Sequence, residues 1–338
     1  MITVTELEAK LAEPSNALIN DLAKVQGDIA ILGVGGKMGP SLAKLARNAI
    51  LEGGLSKRVI GISRFSDDLA RRELEDAGVE TIACDLLNDQ DLMSLPNVEN
   101  VIYMAGNKFG TTGKESFTWA MNTYLPGRVA EKYKDARIVV FSSGNIYPFT
   151  TIGSGGADES VMPEPIGEYA QSCLGRERIF EYHALKNGTP MVMYRLNYAI
   201  DLRYGVLLEL ARAVYEGRPI NLTMGFANVI WQGDANAMAL RCLTECTSPP
   251  NLINITGPET MSIRWAGSEF AKRFGKAAIF EGTESETALL NNAAKSHQLF
   301  GYPSVSLLQM IDWTAEWIRQ GGKILNKPTH FQERKGKF

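Results

Sequence analysis

The sequence predicts an α/β fold: a doubly wound parallel sheet, followed by a smaller mixed α/β lobe toward the C-terminus. Short apolar runs alternate with segments of helical periodicity from residue 28 to about residue 200. Strands that alternate with helices of roughly 10–15 residues form parallel sheets with helices on both faces. A glycine-rich segment directly follows the first apolar run, and beyond residue 200 the alternation becomes irregular. These three observations place a ligand cleft at the carboxyl ends of the strands.

Each element of the sheet follows from its own stretch of sequence. The predicted strands are, in order, GDIAILGVG, RVIGIS, VETIACD, NVENVIYMAG, ARIVVFSSG and PMVMYRLNYA. Helical spacing of apolar residues marks GPSLAKLARNAILEGG, SDDLARRELEDAG, LNDQDLMSL, KESFTWAMNTYLPGRVAEKY and the segment around Tyr169. In the irregular part, helices are predicted at YGVLLELARAVYEG, DANAMALRCLTEC, IRWAGSEFAKRFG and VSLLQMIDWTAEWIRQGG, with short strands between them.

This pattern divides the chain into three regions. Residues 1–27 form a helical N-terminal extension, and residues 28–200 form a dinucleotide-binding domain. A strand and helix near 228–246 return to that domain. Residues 201–227 and 247–338 are predicted to form the substrate-binding lobe.

Composition and charge exclude several classes of function. The chain has 338 residues and a net charge of -3, with its basic residues scattered, so no nucleic-acid partner is expected. No apolar run reaches the length of a membrane span, and the acidic, amphipathic N-terminus is unlike a signal peptide, so the expected location is the cytoplasm. The four cysteines are too few for a disulfide framework, and Cys242 and Cys246 are predicted to be small buried residues. No metal site is predicted.

The glycine-rich segment GVGGKMG predicts a dinucleotide site and a Rossmann-type sheet. Gly33, Gly36 and Gly39 follow a strand and open a helix. Glycines allow the turn to tighten and a pyrophosphate to approach backbone amides at the positive end of the helix. Lys37 and Met38 lie within this loop and are included in the predicted site.

The end of the second predicted strand favours NADP over NAD. NAD-preferring sites carry an acid there to hold the ribose hydroxyls, whereas arginine accommodates the extra phosphate of NADP. This chain has Ser63 and Arg64, with Lys37 as another possible cation; alternatively, Arg64 is only an exposed residue after a strand. Asp85, followed by Leu86, ends the third strand and is expected to accept a hydrogen bond from the adenine amino group.

Taken together, these motifs resemble the short-chain dehydrogenase/reductase superfamily, in its extended NAD-dependent epimerase/dehydratase branch. The resemblance covers about residues 28–320. It depends on GVGGKMG, VIYMAG, Asn122, FSSGNIY, Tyr169 and NITGPETMSIRW. Enzymes of this branch transfer a hydride between nicotinamide and a carbinol carbon, often transiently, to epimerise or dehydrate a sugar.

The resemblance implies site residues at matching positions. Ser143 matches the catalytic serine or threonine, and Tyr169 matches the tyrosine general acid/base. Met104, Ala105 and Gly106 in VIYMAG, together with Asn122, match cofactor-binding positions. A homodimer is also implied, because many relatives pack together through the catalytic helix.

Cys173 stands where the family has a lysine four residues after the tyrosine. That lysine lowers the tyrosine pKa and holds the nicotinamide ribose, and a neutral cysteine does neither. Arg176 lies on the same helical face about two turns on, and Lys108 follows the fourth strand, so either is a candidate for the missing cation. Cys173 is either a passive small residue or a reactive thiol. Loss of catalysis, leaving a cofactor-binding regulator, is the alternative interpretation.

The substrate is expected to be small and polyhydroxylated. Nucleotide-sugar enzymes of this branch carry an arginine where this chain aligns Ala227 and Asn228, so a phosphate clamp is missing. A free sugar, a lactone or a sugar acid is therefore favoured. The predicted substrate-binding residues share polar or aromatic side chains, or a place beside Ser143, near the strand ends; they are Lys108, Gly144, Asn145, Arg195, Asn197, Arg203, Trp231 and Gln232.

Overall fold

The computed structural model describes residues 2–108 and 113–337, and its strands follow the apolar runs of the sequence. The strands are β1 (Ile29–Leu32), β2 (Val59–Ser63), β3 (Glu80–Ala83), β4 (Asn100–Tyr103), β5 (Arg137–Ser143), β6 (Thr150–Thr151), β7 (Met191–Leu196), β8 (Ala199–Ile200), β9 (Pro219–Asn221), β10 (Phe226–Ala227), β11 (Ile230–Trp231), β12 (Asn251–Ile255), β13 (Met261–Ser262), β14 (Ile279–Glu281) and β15 (Thr287–Ala288). The central strands β1 and β4 are wholly buried, because helices cover both faces of a parallel sheet.

Seven of these strands form one parallel sheet in the order β12-β7-β5-β4-β1-β2-β3. Ile29 of β1 pairs with Val59 of β2 on one side and with Asn100 of β4 on the other. The strand order reverses at this point, where open α/β sheets bind ligands. The predicted α/β fold with a Rossmann-type doubly wound sheet is confirmed.

Thirteen α-helices are present in the described part of the chain. They are α1 (Val4–Leu11), α2 (Asn16–Lys24), α3 (Gly39–Glu52), α4 (Asp68–Asp76), α5 (Asp89–Ser94), α6 (Glu115–Trp119), α7 (Leu125–Lys132), α8 (Gly167–Asn187), α9 (Val206–Glu216), α10 (Gln232–Arg241), α11 (Ile263–Phe274), α12 (Ala294–Phe300) and α13 (Leu307–Arg319). No helix in residues 2–108 and 113–337 combines the length and apolar character needed to cross a bilayer.

The helix predicted over KESFTWAMNTYLPGRVAEKY is interrupted in its middle. A π-helical turn at Ala120–Tyr124 separates α6 from α7, and the Leu125 amide donates to the Ala120 carbonyl. Pro126 has no amide hydrogen to donate to the carbonyl four residues earlier, so the regular α pattern cannot continue through this point. The wider turn holds Asn122 fully buried against α8.

The smaller lobe has its own core, built mainly from α9, α11 and α13. Leu7 and Leu11 of α1 belong to that core, whereas Leu18 and Leu22 of α2 pack into the core of the sheet. The N-terminal extension therefore joins the two parts of the molecule. The predicted lobe boundary at residue 247 needs one correction, because β12 is the edge strand of the main sheet, parallel to β7.

Candidate active site

The predicted cleft contains a cavity of about 240 Å³ at the carboxyl ends of the strands. Its floor is formed by the ends of β4 and β5 and by the glycine loop, and its walls by α8, the start of α9 and one residue of the C-terminal tail. Residues from all of these elements line it: Gly33, Gly36, Lys37, Met38, Met104, Lys108, Phe141, Ser142, Ser143, Tyr169, Leu196, Tyr198, Ala199, Tyr204, Gly205, Val206 and Thr329. Several predicted cofactor and catalytic residues thus meet in one space.

Steric constraints explain two of the glycines in the loop between β1 and α3. Gly33 has a φ of +89°, and a Cβ there would lie 2.7 Å from the Ala105 backbone nitrogen. At Gly39, a Cβ would lie 2.1 Å from the Val34 carbonyl oxygen, so only glycine lets α3 start this close to β1. A side chain at Gly36 would meet only the Gly33 carbonyl, at 3.3 Å. The backbone is therefore open at Gly36, where a pyrophosphate can approach the positive end of α3.

The adenosine end of the predicted site lies beyond β2 and β3. Arg64 is exposed, and the Ser63 hydroxyl accepts a hydrogen bond from the Phe65 amide at 3.4 Å. Asp85 is also exposed and accepts the Leu87 amide at 3.1 Å, while Leu86 is buried in the core of the sheet. These residues lie at or just after the ends of the neighbouring strands β2 and β3.

Tyr169 and Ser143 meet across the cavity floor. Tyr169 lies in the first turn of α8, and its hydroxyl is in hydrogen-bonding contact with the Ser143 hydroxyl and the Cys173 thiol. Burial raises the pKa of Tyr169 well above its ordinary value, and the nearby Cys173 raises it further, while Arg176 opposes both. The Ser143 hydroxyl also accepts the Asn145 amide at 3.1 Å. The protonated phenol is therefore the stable form in this structure.

Cys173 is fully buried and faces the cations of the site. Burial raises the pKa of its thiol, whereas Arg176, the hydrogen bond to Tyr169 and Lys108 lower it. The Arg176 guanidinium donates to the Phe141 carbonyl at 2.7 Å and to the Asn122 amide oxygen at 2.8 Å. Arg176 thus lies beneath the site, held by backbone and amide oxygens.

Asn122 links the π-helical turn to the other elements of the site. Its side chain accepts from the Asn107 amide at 2.8 Å and donates to the Asn107 carbonyl and the Ser172 hydroxyl. A Cβ at Gly106 would lie 2.6 Å from Arg176, so a glycine here leaves space for the guanidinium. Met104 lines the cavity, and Ala105 packs against Gly33.

Two lysines line the cavity. The Lys108 ammonium lies 5.7 Å from the centre of the Tyr169 ring, and burial lowers its pKa to about 8. The Lys37 ammonium lies 3.5 Å from the centre of the Tyr204 ring, and burial lowers its pKa to about 7. Lys37 thus points into the cavity, not toward the end of β2 where the sequence suggested a role with Arg64.

The two arginines predicted to bind substrate form ion pairs within the protein. Arg195 is 3% exposed and forms a bidentate ion pair with Glu177 of α8, while it also donates to the Tyr147 hydroxyl at 2.6 Å. The Arg203 guanidinium pairs with Asp201 and Glu8, beside the cavity. The guanidinium groups that were predicted to bind a substrate are therefore already engaged by carboxylates of the protein.

Four other predicted substrate-binding residues are buried, and only some of them lie next to the cavity. Trp231 packs edge-on against Trp313, and Gln232 donates to the Ser41 hydroxyl of α3 at 3.0 Å, so both belong to packing between α10 and its neighbours. Asn197 is buried next to the cavity, and its amide nitrogen has no hydrogen-bond partner among the described residues. Gly144 is buried beside Ser143.

Two residues near the site were not predicted from the sequence as binding residues. Thr329 lines the cavity together with Tyr204, and it comes from a tail without helical or strand periodicity. Asn291 is 2% exposed, and a Cβ on Gly144 would lie 2.2 Å from its amide oxygen. Both polar atoms of its amide lack partners within the described chain. A buried amide of this kind has no periodic signal in a single sequence.

Cys242 is buried and Cys246 is half-buried, and the Cys246 thiol lies within hydrogen-bonding distance of the Cys242 carbonyl. Within residues 2–108 and 113–337, no group of three or more His, Cys, Asp or Glu side chains is placed to hold a metal ion.

Comparison with known proteins identifies the fold through solved structures. No protein-family model matches the chain, and no curated protein matches it either. UDP-glucuronic acid 4-epimerase from Bacillus cereus, in complex with NAD, superimposes with a TM-score of 0.70 at 19% identity, over 88% of this chain and 100% of that one. UDP-glucose 4-epimerase from Thermus thermophilus, also with NAD, gives 0.69 at 18%, over 86% and 99%.

UDP-glucose 4-epimerase from Thermotoga maritima, with UDP-glucose, gives a TM-score of 0.69 at 16% identity, over 87% of this chain and 99% of that one. At such identities the likeness shows the fold alone. The chain therefore shares the fold of these three epimerases.

Proposed function

We propose that this chain, which shares its fold with NAD-dependent sugar epimerases, is an NAD(P)-dependent oxidoreductase or epimerase of a small polyhydroxylated substrate. Within the range of free sugars, lactones and sugar acids, a sugar acid is favoured. The observation that carries this proposal is the meeting of Ser143, Tyr169 and Lys108 in one cavity beside a glycine loop built for a dinucleotide.

The charge of the cavity favours an anionic substrate. Lys37 and Lys108 both place ammonium groups there, and the charge of Lys108 lowers the pKa of Lys37 and of Cys173. A bound carboxylate would relieve the cost of desolvating these ammonium groups, because opposite charges in a desolvated site stabilise each other. A polyhydroxylated acid offers such a carboxylate together with the carbinol that the chemistry needs.

Tyr169 and Ser143 have complementary roles in the proposed reaction. The Ser143 hydroxyl orients the reacting oxygen of the substrate, and the Tyr169 hydroxyl exchanges a proton with that oxygen. A bound nicotinamide would supply the hydride acceptor and donor. Arg176, whose charge lowers the pKa of Tyr169, supplies positive charge that stabilises the Tyr169 phenolate, and the Lys108 ammonium lies 5.7 Å from the centre of the ring. Cys173 carries no such charge.

Cofactor selection follows from the residues after β2. Arg64 is the exposed cation nearest in sequence to the end of that strand, and no acid follows it directly. Arginine at this position pairs with a 2′-phosphate, so NADP is the preferred cofactor and NAD the weaker one.

A homodimer through α8 and the helices before it is part of the proposal. An open groove on this outer face is lined by Trp119, Tyr124, Ile179 and Tyr182, and Tyr182 is 59% exposed. Exposed apolar faces of this kind mark protein interfaces, and the resemblance implies a second copy as the partner.

The test is thermal stabilisation of the purified protein by NAD and NADP, followed by turnover on a panel of free sugars, lactones and sugar acids. We expect both dinucleotides to raise the melting temperature, NADP more strongly, and sugar acids to be turned over. Binding of dinucleotide without turnover of any compound would favour the regulator. Absence of stabilisation by either dinucleotide would overturn the proposal.

A further inference from the structure

We propose that the C-terminal tail, residues 323–337, is the specificity element of this site: a partition that restricts the catalytic cavity to a small substrate. The inference rests on the proposed function and extends it to substrate size. The tail follows α13 and contributes Thr329 directly to the cavity that holds Ser143 and Tyr169.

The tail is fixed at its start by the lobe. The Leu325 amide donates to the Arg203 carbonyl at 3.0 Å, and the Thr329 amide donates to the Glu209 carboxylate of α9. Phe331 is 1% exposed in the core of the lobe. The Thr329 hydroxyl accepts the Phe331 amide at 3.2 Å, which fixes the tail where it borders the cavity.

The far end of the tail is fixed on the catalytic side. Arg334 donates to the Thr287 carbonyl and hydroxyl at 2.8 and 2.7 Å, and its guanidinium lies 4.3 Å from the centre of the Phe149 ring. Gly336 has a φ of +72°, and a Cβ there would lie 2.3 Å from the Ile166 carbonyl, immediately before α8. The tail thus extends from the lobe to the start of the helix that carries Tyr169.

A second and larger cavity lies on the other side of this tail. It has a volume of about 480 Å³ and is lined by tail residues 326–328, 331 and 332 together with Arg203, Arg212 and Arg218. Gly205 lines both cavities, while Thr329 lines the smaller one and Pro328 the larger. The tail therefore separates a catalytic cavity from an arginine-lined space adjacent to it.

Backbone strain supports a functional role for the tail. Asn326 and His330, which flank this partition, have φ values of +49° and +55°. Non-glycine residues in the left-handed region are costly and persist only where surrounding contacts enforce them. The enforcing contacts are the hydrogen bonds of Thr329 and the buried ring of Phe331.

The partition predicts discrimination by size. We infer that the catalytic cavity of about 240 Å³ admits a sugar acid, whereas a sugar joined to a nucleoside diphosphate would have to extend past Thr329 and Pro328. Such a ligand would have to displace the tail, and the free energy of breaking the hydrogen bonds that hold it would be subtracted from the binding free energy of the ligand. Loosening the tail should therefore favour the larger ligand and leave the smaller one nearly unchanged.

The test compares glucuronic acid with UDP-glucuronic acid by calorimetric titration, on the wild-type full-length chain and two tail variants. Arg334→Ala removes the side-chain interactions with Thr287 and Phe149, and Gly336→Ala forces the tail away from Ile166. We expect both variants to bind UDP-glucuronic acid about tenfold more tightly than the wild type, and glucuronic acid within about threefold of it.

Gly321→Ala is the matched control. Gly321 has a similar φ, +70°, but a Cβ there meets no atom within 4 Å, so this variant carries the same backbone cost without moving the tail. Its affinities should equal those of the wild type. Hydrogen exchange of residues 325–337 should rise in the two tail variants and not in the control.

An unchanged affinity for UDP-glucuronic acid in both folded tail variants would overturn the partition, whatever the wild type binds. Titration of NADP into the same preparations separates this result from failure of the proposed function. Loss of dinucleotide binding would defeat the proposed chemistry, while the comparison of the two sugar ligands would still decide the role of the tail.

Discussion

The two halves of the cleft differ in what fixes their geometry. The glycine-loop half is set by backbone approach: Gly33 and Gly39 each lie where a Cβ would collide with a neighbouring strand or loop. The catalytic half is set by charge, with Lys108, Cys173 and Arg176 distributed around Tyr169. Backbone geometry admits few residue types, whereas a positive charge can reach one site from several elements. This difference explains why the glycine pattern of the loop is recognisable in the sequence, whereas the lysine expected four residues after the tyrosine is absent.

The largest effect is expected from removing the general acid/base of the catalytic half, Tyr169. Tyr169→Phe should reduce kcat by about a thousandfold, because the proton exchanged with the substrate oxygen loses its donor. NADP affinity, measured by titration, should not change. Tyr182→Phe, an exposed tyrosine on the same helix, is the control and should retain full activity. Equal activity of the two variants would remove Tyr169 from the mechanism.

The buried ion pair between Arg195 and Glu177 tests whether the charges next to the catalytic half stabilise the fold. Arg195→Met leaves Glu177 buried without its bidentate partner, and we expect the free energy of unfolding in urea to fall by about 3 kcal/mol. Arg178→Met breaks the exposed ion pair with Glu181 on α8, the helix that also carries Glu177. It should lower the free energy of unfolding by about 0.5 kcal/mol or less. If Arg195→Met instead preserved stability and raised only KM, Arg195 would be a substrate residue after all.

A substitution at Gly36 tests whether the backbone of the glycine loop binds the cofactor. Gly36→Ala adds a methyl group whose nearest protein atom is the Gly33 carbonyl oxygen at 3.3 Å, a tight contact that a small shift of the loop has to relieve. The same methyl group stands where the pyrophosphate approaches, so NADP affinity should fall about thirtyfold, with a much smaller effect on the melting temperature. A variant that melted early but bound NADP normally would contradict this assignment.

The charge of Lys108 should appear in the pH dependence of binding. Its pKa, lowered to about 8, means that the ammonium is present below pH 8 and is lost as pH rises above it. We expect the KM of a sugar acid to begin to rise above pH 7, where Lys37 loses its charge, and to rise by up to about tenfold per pH unit above 8, where Lys108 loses its own. Lys108→Arg keeps its charge throughout, so its profile should be flatter, while Lys186→Arg on the exposed end of α8 should behave as the wild type. A flat wild-type profile would exclude this cation from substrate binding.

The smallest expected effect concerns the choice of dinucleotide. Arg64→Ala should weaken NADP about fivefold and leave NAD unchanged, because an exposed pair with the 2′-phosphate contributes about 1 kcal/mol. Titrations with both dinucleotides measure this, with Arg178→Ala as the control. Equal losses for NAD and NADP would place Arg64 outside the selection of the cofactor.

The sequence predicted the parts of the molecule that follow from local patterns. The strands of the sheet and the glycine loop came from apolar periodicity and from glycine spacing, and both lie where those patterns placed them. The interruption at Ala120–Tyr124 was missed although Pro126 marks it, because helical periodicity continues across a single wide turn. The edge strand β12 was assigned to the lobe, since strand order depends on contacts distant in sequence.

The site was predicted unevenly for the same reason. Ser143 and Tyr169 were named from the family resemblance and Lys108 from its place after the fourth strand, and all three line one cavity. Arg195 and Gln232 look like binding residues in the sequence, yet Glu177 and Ser41 engage them from other elements. Thr329 lies more than 150 residues from Tyr169 in a segment without periodicity, so only the fold brings it to the site.

The N-terminal helices have a consequence for the kinetics of ligand exchange. Glu8 of α1 pairs with Arg203 in the lobe and with Lys44 of α3 on the sheet domain, at 2.5 and 3.3 Å. Rotation of the lobe as a rigid body would have to break this bridge and withdraw Leu7 or Leu18 from its core. Ligands are therefore expected to enter and leave by local displacement of a short segment at the rim. Product release would then be governed by how often that segment detaches, and residence times should shorten when its anchors are weakened.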